Sequence, residues 1–285
     1  MKKLFLSGAA LAARLLPDSA KRAIYRSGPL ARGIRGALNQ AAPQGLAEVR
    51  VAAGRLEGYR LVLDMQTEKD YWLGTYEPEL QWALGELLKP GMTAFDVGAN
   101  IGYITLMLAG AVGPTGSVVA FEALPANVTR LEQNLGLNGM DGRVKVVPMA
   151  VAGGEGTITF QVHASGGMGK VTGSAGRTDE AYQTEIAVPC TSLDAYIYER
   201  GNPGPQIVKM DIEGGEVLAL PGMRRLLREA RPTLMMELHG PQSARAAWEE
   251  LNAAGYHVCH MKQDFPRVES LEALDWKAYL VGLAG

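Results

Sequence analysis

The chain has 285 residues and a mass of 30.5 kDa, and its 47% apolar and 20% charged residues are ordinary for a globular protein with a sizeable core. This composition excludes a disordered or fibrous chain. No run of about 18 apolar residues is present, so we expect no membrane-spanning helix. Cys190 and Cys259 are the only cysteines, which excludes a disulfide framework and a zinc knuckle. We therefore expect a reduced, cytoplasmic protein.

The charge of the chain is unevenly distributed, although the formal net charge is only −2. Residues 1–40 carry eight basic side chains against one carboxylate, that of Asp18, so the rest of the chain is acidic. An acidic body lacks the basic surface that binds nucleic acid. We therefore expect no nucleic-acid partner.

Residues 1–48 are predicted to form a basic helical extension ahead of the main domain. The first helix has an apolar face formed by three leucines, Leu4, Leu11 and Leu15. A second helical segment, opened by Asp18 or Ser19, carries Ile24 and Tyr25. Three roles remain open for this extension: packing on the domain, weak contact with a membrane surface, and export, because two lysines precede a short apolar run.

Residues 49–285 are predicted to form the main domain, which begins with a small hairpin of Val49–Val51 and Tyr59–Leu63 and a helix opening at Tyr76–Leu80. Short apolar strands and amphipathic helices then alternate. The strands are predicted at Thr93–Val97, Ser117–Phe121, Val144–Val147, Ile207–Met210, Thr233–Leu238, Tyr256–Cys259 and Tyr279–Leu283. The helices are predicted at Ile101–Leu108, Asn127–Leu137, Glu216–Arg228 and Ser243–Ala254. This alternation predicts a doubly wound, mostly parallel α/β sheet, whose ligands bind beyond the carboxyl ends of the strands.

Between the third and fourth of these strands, at about residues 156–190, the pattern changes. Thr157–Val162 and Glu185–Val188 alternate in the manner of antiparallel strands. We interpret the segment as an inserted β-hairpin with a mobile, glycine-rich loop, Ser165–Gly176. Because surface loops on a rigid scaffold often carry specificity, we expect this loop to shape a substrate pocket.

A glycine-containing turn follows the first main strand and leads into a helix. Gly98 and Gly102 let the backbone approach a ligand closely, and the helix start offers N–H groups to a carboxylate or phosphate. Glu122 ends the second strand, where an acidic side chain can accept hydrogen bonds from ribose hydroxyls. Both a dinucleotide and S-adenosylmethionine bind to sites of this kind.

The details of the turn favour S-adenosylmethionine. A dinucleotide site needs a central glycine that Gly98-Ala99-Asn100-Ile101-Gly102 lacks, and Asp96 would bring negative charge close to a pyrophosphate. The ammonium and sulfonium groups of S-adenosylmethionine suit that carboxylate, and its ribose suits Glu122. A purely structural strand–helix turn remains the alternative.

Six blocks of the chain, in this order, resemble those of FkbM-type methyltransferases, a class I S-adenosylmethionine-dependent family. They are Gly74–Pro78, Phe95–Tyr103, Phe121–Ala123, Val147–Val151, Thr191–Asp194 and Val208–Glu216. The resemblance implies a seven-stranded sheet whose final strand is antiparallel to the rest. It also implies a cofactor site. In that site Asp96, Gly98 and Asn100 would lie near the methionine part of the cofactor, and Glu122 would bind the ribose. Met149, Ala150 and Asn127 would lie around the adenine. Glu77 would cap the cofactor, and Gly102 would complete the turn.

Methyl transfer to a hydroxyl requires alignment of the acceptor and removal of its proton, by a general base or with a metal ion. Asp211 ends the fourth main strand, and Glu213 follows it. Glu237 and His239 end the fifth strand and lie two residues apart, hence on one face. We predict Asp211 or His239 as the base, oriented by Glu213 and Glu237, without a metal ion. A divalent ion held by Asp211, Glu237 and His239 is the alternative.

Structural roles compete for two of the carboxylates. Glu237 could be the ion-pair partner of Lys209 or Arg231, since buried carboxylates are usually paired. Glu216 could be a charge in the first turn of a helix, where the macrodipole favours it.

The sequence therefore predicts an S-adenosylmethionine-dependent methyltransferase, and the resemblance implies O-methylation of a hydroxyl on a sugar, glycan or polyketide-like natural product. A nicotinamide-dependent oxidoreductase and a non-enzymatic nucleotide-binding module are the alternatives. We expect a small-molecule or glycan acceptor and a cytoplasmic location that allows peripheral contact with a membrane.

Overall fold

The computed structural model describes residues 2–17, 20, 24, 27–163, 169–176 and 182–285. The chain divides into two compact units, Met1–Pro78 with Gly136–Asn138 and Glu79–Leu135 with Gly139–Gly285. Some predicted features lie outside the described residues, namely Asp18, Ser19 and Tyr25 of the second N-terminal segment and positions 165–168 of the insertion loop. The domain boundary at residue 48 stays a prediction.

The first unit contains helices and a hairpin. The helices are α1 (Lys2–Leu15), α2 (Gly28–Ala41) and α3 (Lys69–Leu73), and the strands are β1 (Leu46–Arg50) and β2 (Arg60–Asp64). β1 and β2 pair antiparallel, so the small hairpin is present, shifted by one to three residues from the predicted bounds. The sequence reasoning missed α2, which has proline in its first turn, a position where proline is tolerated.

The second unit carries the main α/β domain. After α4 (Pro78–Leu87) its elements are β3 (Thr93–Val97), α5 (Tyr103–Val112), β4 (Ser117–Phe121), α6 (Pro125–Leu137), β5 (Val144–Val147), β6 (Ala150–Val151), β7 (Gly156–His163), β8 (Gly169–Val171), β9 (Tyr182–Thr191), β10 (Ile207–Met210), α7 (Glu216–Ala219), α8 (Arg224–Glu229), β11 (Thr233–His239), α9 (Pro241–Ala253), β12 (Tyr256–His260) and β13 (Lys277–Ala284).

Seven of these strands form the central sheet, in the order β12-β13-β11-β10-β3-β4-β5. Neighbours from β11 to β5 are parallel, and β13 is antiparallel to both of its neighbours. This confirms the predicted α/β class and its mostly parallel seven-stranded sheet. The observed bounds of β3, β4, β5 and β10 are those expected from the sequence.

The inner strands are buried on both faces, which is why their sequences are almost continuously apolar. Phe95 of β3 and Phe121 of β4 are fully buried and meet edge to face, with ring centroids 5.5 Å apart. Helix α5 is buried along nearly its whole length, as expected for a helix that is apolar all round. Polar groups for chemistry are therefore concentrated at the ends of the strands.

One predicted helix is interrupted. The sequence predicts a single helix over Glu216–Arg228, whereas the structure has α7, a 3-10 turn at Leu220–Met223, and then α8. Pro221 lies in that turn and has no N–H group to donate, so a continuous α-helix cannot pass through it.

The inserted segment forms a four-stranded sheet of its own, in the order β6-β9-β7-β8. The predicted hairpin is present, since β7 and β9 pair antiparallel. Two further strands join it: β6 pairs parallel with β9, and β8 pairs antiparallel with β7. Because β8 lies within the segment expected to be a mobile loop, that part of the expectation was wrong: cross-strand pairing orders Gly169–Val171.

Both cysteines are free thiols in the core, Cys190 in β9 and Cys259 in β12. Within the described parts of the chain, none of the helices has the length and apolar character needed to cross a membrane.

Candidate functional site at the carboxyl edge of the sheet

The turn after β3 packs tightly against the end of β10. Gly98 has a φ of +82°, and a Cβ at that position would lie 1.9 Å from the carbonyl oxygen of Asp211. Only glycine fits there. Asn100 also has a positive φ, +49°, which asparagine tolerates better than most residues. Gly102 serves helix packing, since a Cβ there would lie 2.5 Å from Cδ1 of Leu131 on α6.

Glu122, directly after β4, joins this turn to the neighbouring strand. Its Oε2 accepts the N–H of Asn100 at 2.8 Å, and its Oε1 accepts the N–H of Leu124 at 2.8 Å and Nδ2–H of Asn127 at 3.4 Å. Burial raises the pKa of Glu122, and these hydrogen bonds oppose the rise. A carboxylate oxygen has two lone pairs, so Oε2 retains capacity for a ribose hydroxyl beside its one hydrogen bond from the described residues.

Asp96 is fully buried and has a cation of the protein beside it. The register of β3 and β10 pairs Asp96 with Lys209, whose Nζ lies 3.2 Å from Oδ1 of Asp96 and donates to the carbonyl of Gly98 at 3.0 Å. Oγ1 of Thr105 donates to Oδ2 at 2.6 Å. Lys209 therefore balances the charge of Asp96, and a ligand ammonium is not needed for that. Contact of Asp96 with the methionine part of a cofactor stays a prediction.

The four predicted catalytic residues lie together. His239 Nε2 is 3.0 Å from Oε1 of Glu237 and 3.6 Å from Oε2 of Glu213, and His239 Nδ1 is 3.9 Å from Oδ1 of Asp211. Glu237 and His239 share one face of β11, as their spacing predicts. Asp211 and Glu213 belong to the loop that follows β10, the neighbouring strand.

The partner of Glu237 is a lysine that the sequence reasoning missed. Lys277 Nζ contacts Oε1 of Glu237, because the antiparallel register of β11 and β13 places Lys277 opposite His239. The proposed pairing with Lys209 or Arg231 is wrong: Lys209 is paired with Asp96, and Arg231 donates to backbone carbonyls near the end of α9. Sequence alone carries no signal for this register.

Burial and neighbouring charges shift the pKa values of two of these groups strongly. Burial raises the pKa of Asp211 to about 7; Glu237 adds to the rise, whereas Lys209 and His239 oppose it. Burial would lower the pKa of His239, but the hydrogen bond to Glu237 and the charges of Asp211 and Glu213 outweigh that effect and raise it to about 9. At neutral pH the imidazole is therefore protonated, and the Asp211 carboxyl titrates in the range suited to a general base.

Glu216 anchors the loop that carries Asp211. It is fully buried, accepts a hydrogen bond from Oγ of Ser243 on α9 at 2.8 Å, and accepts the N–H of Ile212 at 3.2 Å. Burial raises its pKa. The interpretation of Glu216 as a charge at the start of a helix is thus incomplete, since α7 does begin there but the carboxylate faces the interior.

The insertion contributes to the surroundings of this loop. The N–H of Ala175 donates to the carbonyl of Gly214 at 2.9 Å, and a Cβ on Gly176 would lie 2.3 Å from the carbonyl oxygen of Glu213. A Cβ on Gly240, directly after β11, would lie 3.0 Å from the carbonyl oxygen of Ala175. The described end of the insertion loop therefore packs against the loops after β10 and β11.

The remaining predicted cofactor residues have different surroundings. Asn127 is buried beside Glu122. Met149 and Ala150 follow β5, and Ala150 packs with Ala123, close to Glu122 in the chain. Their contact with adenine stays a prediction. Glu77 belongs to the other compact unit, so its predicted role as a cap also stays a prediction.

Oδ1 of Asp211 and Nδ1 of His239 are among the buried polar atoms that have no hydrogen-bond partner within the residues that the structure describes. They face each other at 3.9 Å. Buried polar atoms in proteins are normally satisfied. The pair therefore indicates a place where a bound molecule or ion completes the hydrogen bonding.

Comparisons with known proteins identify a family for this chain. A family model described as the methyltransferase FkbM domain matches residues 96–258. No curated protein matches the chain. Similar solved structures include an FkbM methyltransferase from Methylobacillus flagellatus KT, with 19% identity and a TM-score of 0.44 over 76% of this chain and 54% of that chain. Another is a precorrin-6Y C5,15-methyltransferase from Geobacter metallireducens GS-15, with 15% identity and a TM-score of 0.43 over 72% of this chain and 86% of that one.

A third similar structure is an S-adenosylmethionine-dependent O-methyltransferase from Thermotoga maritima, with 14% identity and a TM-score of 0.43 over 90% of this chain and 82% of that chain. The present chain spans about half of the Methylobacillus protein's length. The FkbM family model, in contrast, covers more than half of the present sequence. The chain therefore belongs to the FkbM family of S-adenosylmethionine-dependent methyltransferases.

Proposed function

We propose that this protein transfers a methyl group from S-adenosylmethionine to a hydroxyl group of a sugar, a glycan or a polyketide-like natural product. The observation that carries the proposal is the position of Asp211, a partly buried carboxylate beside the Gly98 turn with His239 next to it. A hydroxyl acceptor loses its proton as the new bond forms, and a carboxylate in this place can accept it. The acceptor class is taken from the family resemblance.

The residues at and beside the Gly98 turn have the chemistry to bind S-adenosylmethionine in this proposal. Oε2 of Glu122 retains capacity for a ribose hydroxyl beside its bond to Asn100. The Gly98 turn and Asn100 hold the methionine part in this proposal, and Met149 and Ala150 border the adenine. When bound, the cofactor supplies an electrophilic methyl group on a sulfonium.

Asp211 is the general base in this proposal, and His239 supports it as a cation. Because the raised pKa of His239 keeps the imidazole protonated at neutral pH, His239 is not available as the base. Its Nδ1–H faces Oδ1 of Asp211 and favours the ionised carboxylate, while Glu237 holds its Nε2. Lys277 fixes Glu237. The series Lys277, Glu237, His239 therefore positions a positive charge next to the base.

A divalent ion is the second way to activate the hydroxyl, and one observation favours it. Asp211, Glu237 and His239 each offer a ligand atom, and the three atoms lie within 4.8 Å of one another. Lys277 and the protonated His239 already balance negative charge at this place, so we favour proton transfer. Dialysis against EDTA should leave turnover unchanged. At least a tenfold loss of turnover, restored by Mg²⁺ or Mn²⁺, would support the metal instead.

Calorimetry tests the proposed cofactor. We expect S-adenosylhomocysteine to bind and NAD⁺ not to bind, because the turn lacks the central glycine of a dinucleotide site. Glu122→Gln should weaken the binding of S-adenosylhomocysteine about tenfold, since the amide is a poorer acceptor than the carboxylate. Glu132→Gln, an exposed position on α6, is the matched control. Binding of the dinucleotide alone would favour an oxidoreductase or a nucleotide-binding module.

The acceptor is found by product analysis. The enzyme is incubated with isotope-labelled S-adenosylmethionine and extracts of the host's glycans and secondary metabolites, and products are read by their gain of a methyl group in mass spectrometry. We expect the label on an oxygen. Label found only on nitrogen or carbon would contradict O-methylation but leave methyl transfer intact.

A further inference from the structure

Helix α1 exposes three of its large apolar side chains and buries a small one. Phe5, Leu11 and Leu15 are 45%, 56% and 70% exposed, whereas Ala13 is only 8% exposed. At about 100° per residue, Leu11, Leu15 and Phe5 lie on one arc roughly 120° wide, and Ala13 lies on the opposite side. Among the residues whose burial the structure describes, Gly8 and Ala12 also lie on that arc and are exposed as well.

This orientation is the reverse of that of a helix whose apolar face is buried in its own fold. Such a helix turns its leucines toward the core and its polar residues toward water. Among the described residues, the exposed large apolar side chains are Phe5, Leu11, Leu15, Ile34, Leu46 and Trp276. Half of them belong to α1, so the outer arc of this one helix concentrates the apolar surface.

Charge indicates what the arc contacts. Residues 1–40 have eight basic side chains and a single acidic one. Arg14, Arg32 and Arg35 are exposed, and Arg14 is in an ion pair with Glu57 at 2.9 Å. A second copy of the chain would bring two such basic segments together, which like-charge repulsion disfavours. Nucleic acid would contact the basic side chains but would not cover the leucines. An anionic lipid surface can contact both, because its phosphates attract the basic side chains and its apolar layer accepts the leucines.

We infer that the outer arc of α1, Phe5, Gly8, Leu11, Ala12 and Leu15, binds the surface of an anionic lipid bilayer. With 14 residues and a rise of about 1.5 Å per residue, α1 is too short to cross a bilayer, which takes about 20 residues. It therefore lies in the plane of the interface, with its leucines between the lipid headgroups and the arginines next to lipid phosphates. This surface is a membrane anchor in addition to the methyltransferase site.

The test is flotation of the full-length chain with vesicles of phosphatidylglycerol or of phosphatidylcholine. We expect the chain to float with phosphatidylglycerol vesicles, to float at least tenfold less with phosphatidylcholine, and to be released by high salt. The double variant Leu11→Ser, Leu15→Ser should bind at least tenfold less. Leu46→Ser, which changes a leucine of β1 that is 58% exposed, should bind like the unchanged chain.

A second variant separates loss of binding from loss of folding. Arg32→Gln with Arg35→Gln leaves the apolar arc intact and should reduce binding to phosphatidylglycerol several-fold, and each variant should keep the circular dichroism and melting temperature of the unchanged chain. The inference is overturned if the folded double leucine variant floats normally or if the unchanged chain floats with neither vesicle. It is also overturned if light scattering shows a dimer that the double leucine variant no longer forms, while flotation of that variant with vesicles is unchanged.

Discussion

At the scale of single residues, the candidate site is a series of alternating charges. Lys277 contacts Glu237, Glu237 binds His239, and His239 faces Asp211. Each charge is stabilised by the next, which is how buried ionisable groups are tolerated. Asp211 is the last member, and its Oδ1 has no hydrogen-bond partner among the described residues, so we expect Asp211 to be the group that reacts.

Asp211→Asn should lower kcat by about 10²- to 10⁴-fold, because the amide cannot take up the acceptor proton. The affinity for S-adenosylhomocysteine should stay within about threefold, a small change in binding free energy. Calorimetry and steady-state rates measure the two effects separately. Asp141→Asn, at an exposed position before β5, serves as the control. Unchanged turnover in Asp211→Asn would remove Asp211 as the base without removing the methyl-transfer function.

The pH dependence of turnover should report the same carboxyl group. In enzyme treated with EDTA, kcat should rise with pH and be half-maximal at about pH 7, because only the ionised form of Asp211 accepts a proton and burial raises its pKa to about 7. Above about pH 9 turnover should fall as His239 loses its proton. Initial rates at saturating substrates measure this profile, and a flat profile from about pH 6 to about pH 8 would contradict it.

At the scale of elements, the sequence predicts the parallel strands well, because burial on both faces makes each one a short, uninterrupted apolar run. It predicts turns and pairings less well. Pro221 interrupts a helix that the apolar spacing alone makes continuous, and β8 forms by pairing with β7, which no local pattern specifies. The candidate site shows the same limit: Asp211 and His239 were predictable from strand ends, whereas Lys277 depends on the register of β13.

The contact between the β3 turn and the end of β10 gives a stability prediction. Gly98→Ala should lower the free energy of unfolding by at least about 2–4 kcal/mol, since a positive φ costs a residue with a Cβ about 1–2 kcal/mol and the new methyl group would meet the carbonyl of Asp211. Urea unfolding measures this change.

Gly139→Ala is the matched control for that prediction. Gly139 also has a positive φ, +65°, but a Cβ there would have no heavy atom within 4 Å. Gly139→Ala should therefore lower the free energy of unfolding by only about 1–2 kcal/mol. Equal decreases in the free energy of unfolding of the two variants would show that Gly98 does not lie this close to the carbonyl of Asp211 in solution.

At the scale of the whole molecule, charge and chemistry are separated along the chain. The excess of positive charge lies in residues 1–40, whereas every predicted site residue except Glu77 belongs to the unit of Glu79–Leu135 and Gly139–Gly285. The central sheet and the insertion sheet belong to that same unit. We therefore expect cofactor binding and the proposed lipid contact to be independent properties that can be measured separately.

A fragment of residues 79–285 should fold and bind S-adenosylhomocysteine with a Kd within about tenfold of that of the full chain, because the contacts of Gly98, Glu122 and Asp211 described above all lie within the fragment. Circular dichroism and calorimetry measure folding and binding. An unfolded fragment would contradict this independence. A hundredfold weaker affinity that Glu77→Ala reproduces in the full chain would assign the missing contact to Glu77.

Two residues of the candidate site hold a backbone conformation that suits glycine better. Asn100 and Glu213 have φ values of +49° and +53°. Such conformations cost most residues with a Cβ about 1 kcal/mol or more, and they cost asparagine less. Replacement by glycine would release that energy but remove the side chain. A selection for thermostable variants would therefore favour glycine at these positions, and we expect the selected variants to have lower catalytic activity.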